Sequence, residues 1–309
     1  MLSTLIRVLC QKIAVVALGV VAALAVLGAG SAATSDPWLV FPSATTEAGP
    51  QLSQLVRVHV SGSGFREITT GARSALDPSF ARDGRQIAFT RLSSGLFLTS
   101  VDGTGLRRLT PNGTDRFPVY SPNGRQIAFV RAAKGSGYHV WVMNANGRRQ
   151  HRLRLAPRLS SAIRAAWMPD GRSLVVATGG AFYRISTAAG KVLKQLTPTY
   201  DPSLDPLQWS LSPNGKTIAY IGRRAEPAGC QRAECEVFAL YLQGVASTKP
   251  KRSIADVGVV AGWSPDSRRI VYTHGGLVVE TVAGGTTKTI SIPTDRSIQG
   301  EAPPAWQPR

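Results

Sequence analysis

The sequence predicts an all-β fold, a six-bladed β-propeller of four-stranded blades whose last blade is closed by N- and C-terminal segments. Three observations predict it. A ten-residue phrase is written five times. Its Asp/Asn positions 83, 123, 170, 214 and 266 stand 40, 47, 44 and 52 residues apart. Each copy is followed by a Gly-containing turn, then apolar runs of strand length, with almost no helical period. Repeats of roughly 40–50 residues carrying four strands each are what a propeller blade requires.

The phrase reads aromatic, turn, basic residue, apolar strand. Its copies are Phe80-Ala-Arg-Asp-Gly-Arg-Gln-Ile-Ala-Phe89, Tyr120-Ser-Pro-Asn-Gly-Arg-Gln-Ile-Ala-Phe129, Trp167-Met-Pro-Asp-Gly-Arg-Ser-Leu-Val-Val176, Leu211-Ser-Pro-Asn-Gly-Lys-Thr-Ile-Ala-Tyr220 and Trp263-Ser-Pro-Asp-Ser-Arg-Arg-Ile-Val-Tyr272. The first strand of each unit ends in the aromatic. The Asp/Asn-Gly pair suits a tight hairpin, because both residues tolerate positive φ. The Ile-Ala-Phe strand is apolar at consecutive positions, so both of its faces are expected to be buried. Two further strands follow, as in Leu96–Val101 leading to Leu106–Leu109. A sixth copy begins at Trp306-Gln-Pro-Arg309. The N-terminal part supplies Trp38–Phe41, Leu55–Val60 and Phe65–Thr69, the order expected of strands two, three and four. Joined to the Glu301–Trp306 stretch, they complete a sixth blade and pair strand edges that would otherwise be bare.

Residues 1–33 read as a signal peptide. Arg7 and Lys12 are the only charges, Ile13 to Leu27 is apolar apart from glycine, and small residues follow. The alternative is an uncleaved anchor, although the apolar run is short for a full span. Residues 34–51 read as a linker with one short strand at 38–41, and residues 52–309 as the propeller. Charged residues make up 17% of the chain, yet its formal net charge is +18. Loss of residues 1–33 leaves +16, two below the full chain. Such a chain is drawn to anionic lipids or wall polymers, and the alternative is a basic, solvated surface. Export makes nucleic acid the least natural partner.

Cysteine usage agrees with export. The mature chain keeps only Cys230 and Cys235, a pair read as a disulfide closing a small loop.

The repeated unit, aromatic-Ser-Pro-Asp/Asn-Gly-Arg/Lys-x-Ile-Ala-Phe, resembles the WD-like repeat of TolB-type propellers over roughly residues 52–309. The resemblance implies a six-bladed propeller in an exported bacterial protein, periplasmic, envelope-associated or extracellular. In that family the propeller is a protein- or ligand-binding platform. No α/β domain fits between residues 34 and 52, and no Gly-x-Ser-x-Gly elbow occurs.

A motif present in every blade is structural, so function is expected in the loops entering the innermost strands. These carry Arg73 and Asp77, Asp115 and Arg116, Arg164, Asp205, Asp256 and Glu301. They read as a polar axial funnel for a peptide segment or small polar ligand. The alternative is that they cap turns and pair across blades. Asp115, Asp205 and Glu301 could together hold a cation such as calcium, but no cofactor and no metal site is otherwise indicated. The four histidines, 59, 139, 151 and 274, show no metal-ligand spacing. The expected function is that of a monomeric, non-enzymatic platform for a protein or an anionic envelope component. Membrane contact is expected only through an uncleaved signal. The alternative is a hydrolase, lyase or dehydrogenase with its site in the funnel.

If the pair Cys230–Cys235 is oxidised, intact mass spectrometry of the exported protein will show a loss of two hydrogens that a reducing agent restores.

Overall fold

The computed structural model describes residues 36–45, 52–133, 137–159, 164–178, 181–196, 208–223, 238–247, 252–255, 262–274, 276–298 and 303–308. Cys230 and Cys235 lie outside them, as do residues 1–33. Residues Pro37–Arg309 form one compact unit. No helix among the described residues is long and apolar enough to cross a membrane.

The chain enters with β1 (Trp38–Thr45), β2 (Gln54–His59) and β3 (Arg66–Glu67). Blade 1 follows with β4 (Ala75–Phe80), β5 (Gln86–Arg91), β6 (Gly95–Ser100) and β7 (Arg107–Arg108). Blade 2 holds β8 (Asp115–Tyr120), β9 (Gln126–Ala133), β10 (Gly137–Asn144) and β11 (His151–Arg152). Blade 3 holds β12 (Ala165–Trp167), β13 (Ser173–Thr178), β14 (Ala181–Ser186) and β15 (Val192–Gln195). Blade 4 holds β16 (Trp209–Leu211), β17 (Thr217–Arg223), β18 (Phe238–Gly244) and β19 (Arg252–Ala255). Blade 5 holds β20 (Gly262–Trp263), β21 (Arg269–Thr273), β22 (Leu277–Thr281) and β23 (Thr287–Ile290). The chain ends with β24 (Arg296–Ile298) and β25 (Ala305–Trp306). Each of blades 1–5 is an antiparallel meander in sequence order.

Blade 6 is made from both ends. Leu39 and Val40 of β1 pair with Trp306 and Ala305, while Ser43–Thr45 pair with Ile298–Arg296. Two features depart from the sequence reading. The strand expected at 38–41 runs on through Pro42 to Thr45. The innermost strand of blade 6 is split into β24 and β25 along the same partner. The six innermost strands touch in a closed cycle, β4, β8, β12, β16, β20, β25 and back to β4.

The repeated phrase works as follows in blade 2. Ser121 Oγ accepts from Gln126 N at 2.9 Å and donates to Asn123 Oδ1 at 2.7 Å. Asn123 Oδ1 also accepts from Arg125 N at 3.0 Å. Gly124 takes φ 72°, a conformation open to glycine at little cost. Blades 4 and 5 repeat the arrangement with Ser212/Asn214 and Ser264/Asp266. In blade 5 Ser267 stands at the glycine position with φ 60°.

The core lies between blades rather than within them. Ile127 and Phe129 of β9 pack with Ala88, Leu96 and Leu98 of blade 1. Their neighbours Ala128 and Val130 turn the other way, onto Trp167, Leu174 and Val176 of blade 3. Period-two alternation therefore serves two cores, which explains a strand apolar at every position. Four more clusters of this kind lie between successive blades, including one that joins Leu39, Phe41 and Trp306 to Val271 and Leu277.

The closing contacts are tight. A Cβ on Gly262 of β20 would stand 2.1 Å from the backbone oxygen of Pro304, beside β25. Gly262→Ala should therefore cost about 1–3 kcal/mol. Removal of residues 303–309, which deletes the buried Trp306 and leaves β1 half paired, should cost at least about 3–5 kcal/mol. Urea unfolding followed by tryptophan fluorescence measures both.

Candidate functional site

The innermost strands converge on an axial cavity of about 300 Å³, lined by residues from all six blades. Its walls are rich in proline and tryptophan, among them Pro78, Pro118, Trp209, Trp263, Pro304 and Trp306. Asp77, Phe117 and Arg164 supply its chemistry.

These three residues share one register position. Each lies three residues before the closing residue of its innermost strand, namely Phe80, Tyr120 and Trp167. In blades 1 and 2 the next residue is proline, and the ladder slips by one residue there. Asp77 and Phe117 sit in this bulge with φ 56° and 53°. Positive φ is uncommon outside glycine, and marked for a bulky residue such as phenylalanine, so both positions carry backbone strain. The bulge turns the side chain at this position toward the axis.

The sequence placed Asp77, Asp115 and Arg116 in loops ahead of the innermost strands, and this is corrected. All three lie inside β4 and β8, because the bulge lets each ladder continue past its X-Pro step. Arg73 does lie ahead of β4. It is exposed, donates to Ser93 O at 3.1 Å, and does not line the cavity. Asp115, grouped by the sequence with Asp205 and Glu301 around an axial cation, is fully buried and gives both oxygens to Arg131, at 2.5 and 2.8 Å. Arg131 also reaches Gln150 and stacks over Trp141 at 4.3 Å. Asp115 is thus held in a structural pair. Asp205, Asp256 and Glu301 lie outside the described residues.

Asp77 is 2% exposed. Its Oδ2 accepts from Arg116 Nε at 3.4 Å and, weakly, from Phe117 N at 3.5 Å. Its Oδ1 is buried with no hydrogen-bond partner among the described residues. Arg164 is 7% exposed and donates to Trp209 O at 3.3 Å. The Phe117 ring lies between two guanidinium groups, Arg116 at 4.6 Å and Arg164 at 5.0 Å. Cation–π attraction partly offsets the cost of holding two like charges near one ring.

Sequence reasoning missed the indoles and Gln208. Trp167 Nε1 donates to Val119 O at 3.0 Å. The indole nitrogens of Trp209, Trp263 and Trp306 are buried and have no hydrogen-bond partner among the described residues. Gln208, at the same register position as Asp77 in blade 4, likewise has a buried Oε1 without a partner. Buried polar atoms are nearly always paired, so the unpaired atoms of Asp77, Trp209, Trp263 and Trp306, all of which line the cavity, call for a partner that enters it. The signal for Gln208 was its place three before the closing residue Leu211. Among the described residues no three His, Cys, Asp or Glu side chains form a metal-holding group.

The sequence matches no described protein family, and no curated protein resembles it closely enough to align. Solved structures do resemble it. TolB from Acinetobacter baumannii superposes with TM-score 0.68 at 20% identity, over 88% of this chain and 67% of that one. A protein described as TolB from Agrobacterium tumefaciens superposes with TM-score 0.59 at 12% identity, over 87% of this chain and 94% of that one. The fold is a TolB-like propeller. At these identities the likeness concerns architecture, and the TolB-like ring is here lined by this chain's own Asp77, Arg164 and tryptophans.

Asp77→Asn should retain stability within about 1 kcal/mol, since the amide oxygen can still accept from Arg116 and Phe117. Asp77→Ala should cost about 1–3 kcal/mol, because both donors lose their acceptor. Denaturant midpoints of the two variants check this.

Proposed function

We propose that the protein is an exported, non-enzymatic β-propeller that binds a polypeptide segment of an envelope protein at its axis. The observation that carries this reading is the set of buried polar atoms around the axial cavity. Asp77 Oδ1 needs a donor, and the three indole N–H groups need acceptors. A peptide backbone brings N–H and C=O groups together, and the proline and tryptophan walls suit its apolar side chains. The TolB-like architecture supports a platform role. The signal-like residues 1–33 support export.

The protein, immobilised and exposed to solubilised envelope extract at moderate salt, should retain a protein partner. The variant Asp77→Asn/Trp263→Phe should retain about tenfold less, the equivalent of one or two lost hydrogen bonds. No retained protein across several salt and detergent conditions would count against the reading. Turnover of a sugar, lactone or peptide substrate that Arg164→Gln abolishes would replace it with an enzymatic one.

A further inference from the structure

The five hairpin turns of the repeated phrase all point to one end of the propeller, because every innermost strand runs in the same direction around the axis. They also touch one another. Gly84 abuts Gln307, Gly124 abuts Arg82, Gly171 faces Asn123 and Gly215 packs on Pro169. Asn214 N donates to Ser267 Oγ at 3.1 Å, and Arg269 stacks over Trp306 at 4.9 Å. The turns therefore form a continuous collar around one mouth of the ring.

Each turn carries a cation directly after its positive-φ residue: Arg85, Arg125, Arg172, Lys216 and Arg268. All five are exposed. The turns' own acidic and amide side chains do not offset this evenly. Asp83, Asn123, Asp170, Asn214 and Asp266 each accept from the backbone N–H of the neighbouring cation, at 2.9–3.0 Å. Two of the five turns have asparagine, which brings no charge at all. Asp170 is paired in addition with Arg184. The outer hairpins at the same end add Arg148, Arg149 and Lys191, all exposed. Asp102, also at this end, is bound into its own turn by Thr104.

The point where the chain enters the propeller lies at this same collar. Trp38 N donates to Gln307 Oε1 at 3.1 Å, Gln307 N donates to Trp38 O at 2.9 Å, and Gln307 Nε2 donates to Gly84 O at 2.9 Å. Trp38 stacks on His59 with ring centroids 3.4 Å apart, under the Arg57 guanidinium at 4.3 Å. In the sequence, ten residues separate Leu27, the end of the apolar run, from Trp38. That length spans at most about 36 Å.

We propose that this basic collar is a docking face for an anionic lipid bilayer. A flat ring of exposed cations matches a plane of lipid phosphates. A partly exposed tryptophan at the point of chain entry suits the interfacial zone. Trp38, where the chain enters the propeller, then lies on the membrane side.

The test is co-sedimentation of the full chain with phosphatidylglycerol-containing vesicles and with phosphatidylcholine vesicles, which measure any contribution of the apolar run. The wild type should partition at least about tenfold better onto the anionic vesicles at about 0.1 M salt, and lose that preference near 0.5 M. Reversal of four collar charges (R85E, R125E, R172E, K216E) should abolish the preference. The glutamine versions should reduce it at unchanged thermal midpoint. Reversal of four exposed cations on outer strands (R66E, R107E, R152E, K194E) has the same net charge and should leave the preference within about twofold. Equal losses in the two reversal sets would reduce the effect to net charge and overturn the proposal. So would the absence of any preference for anionic vesicles. Unchanged vesicle binding in the collar variant, with lost binding to heparin, would assign the collar to a soluble polyanion and overturn it as well.

Discussion

No blade of this protein can bury its own apolar surface. Strands such as β5, β9 and β13 are apolar at consecutive positions, and each of their two faces needs a different neighbour. A linear stack would leave two bare faces, each several hundred Å² of hydrocarbon. Closing the stack into a ring removes both. The order of strands, the joining of chain ends and the convergence of six strands on an axis all follow from that demand.

The architecture was legible in the sequence because it is built by repetition. Ser121, Asn123 and Gly124 do local work that needs those residue types, and their equivalents do the same work in other blades. The sixth blade could be assembled on paper because Trp306 restarted the phrase. The site was far less legible. Asp77-Pro78 has the composition of a turn start, and in the fold it is a mid-strand bulge. Asp115 stood out as one of few carboxylates, yet a bidentate arginine consumes it. The split of the last innermost strand into β24 and β25 had no local signal, since its partner β1 comes from the far end of the chain. The polar register was hidden because its occupants share no chemistry: aspartate, phenylalanine, arginine and glutamine occupy equivalent places in blades 1 to 4.

The molecule thus divides its labour by position along one strand. Residues at and after the closing position keep their chemical type from blade to blade, with Asp or Asn in the turn, a cation two residues on and an apolar strand, and they hold the ring. The position three before it varies in chemistry, and each occupant meets the next blade in its own way: Asp77 accepts from Arg116, Phe117 packs into the core shared with blade 3, and Arg164 donates to Trp209 O. Strain at Asp77 and Phe117 shows that holding particular side chains there has a cost that the surrounding ladder sustains.

The pairing of Trp38 with Gln307 joins residues 269 positions apart. Until the last blade's worth of chain has appeared, blade 5 lacks its outer neighbour and β1 lacks its inner partner. A chain delivered from its N-terminus must therefore keep the inner edge of β1 unpaired through the arrival of five blades. Closure of the ring falls at the very end of delivery, and the β1 edge bare until then is where a chaperone would have to act.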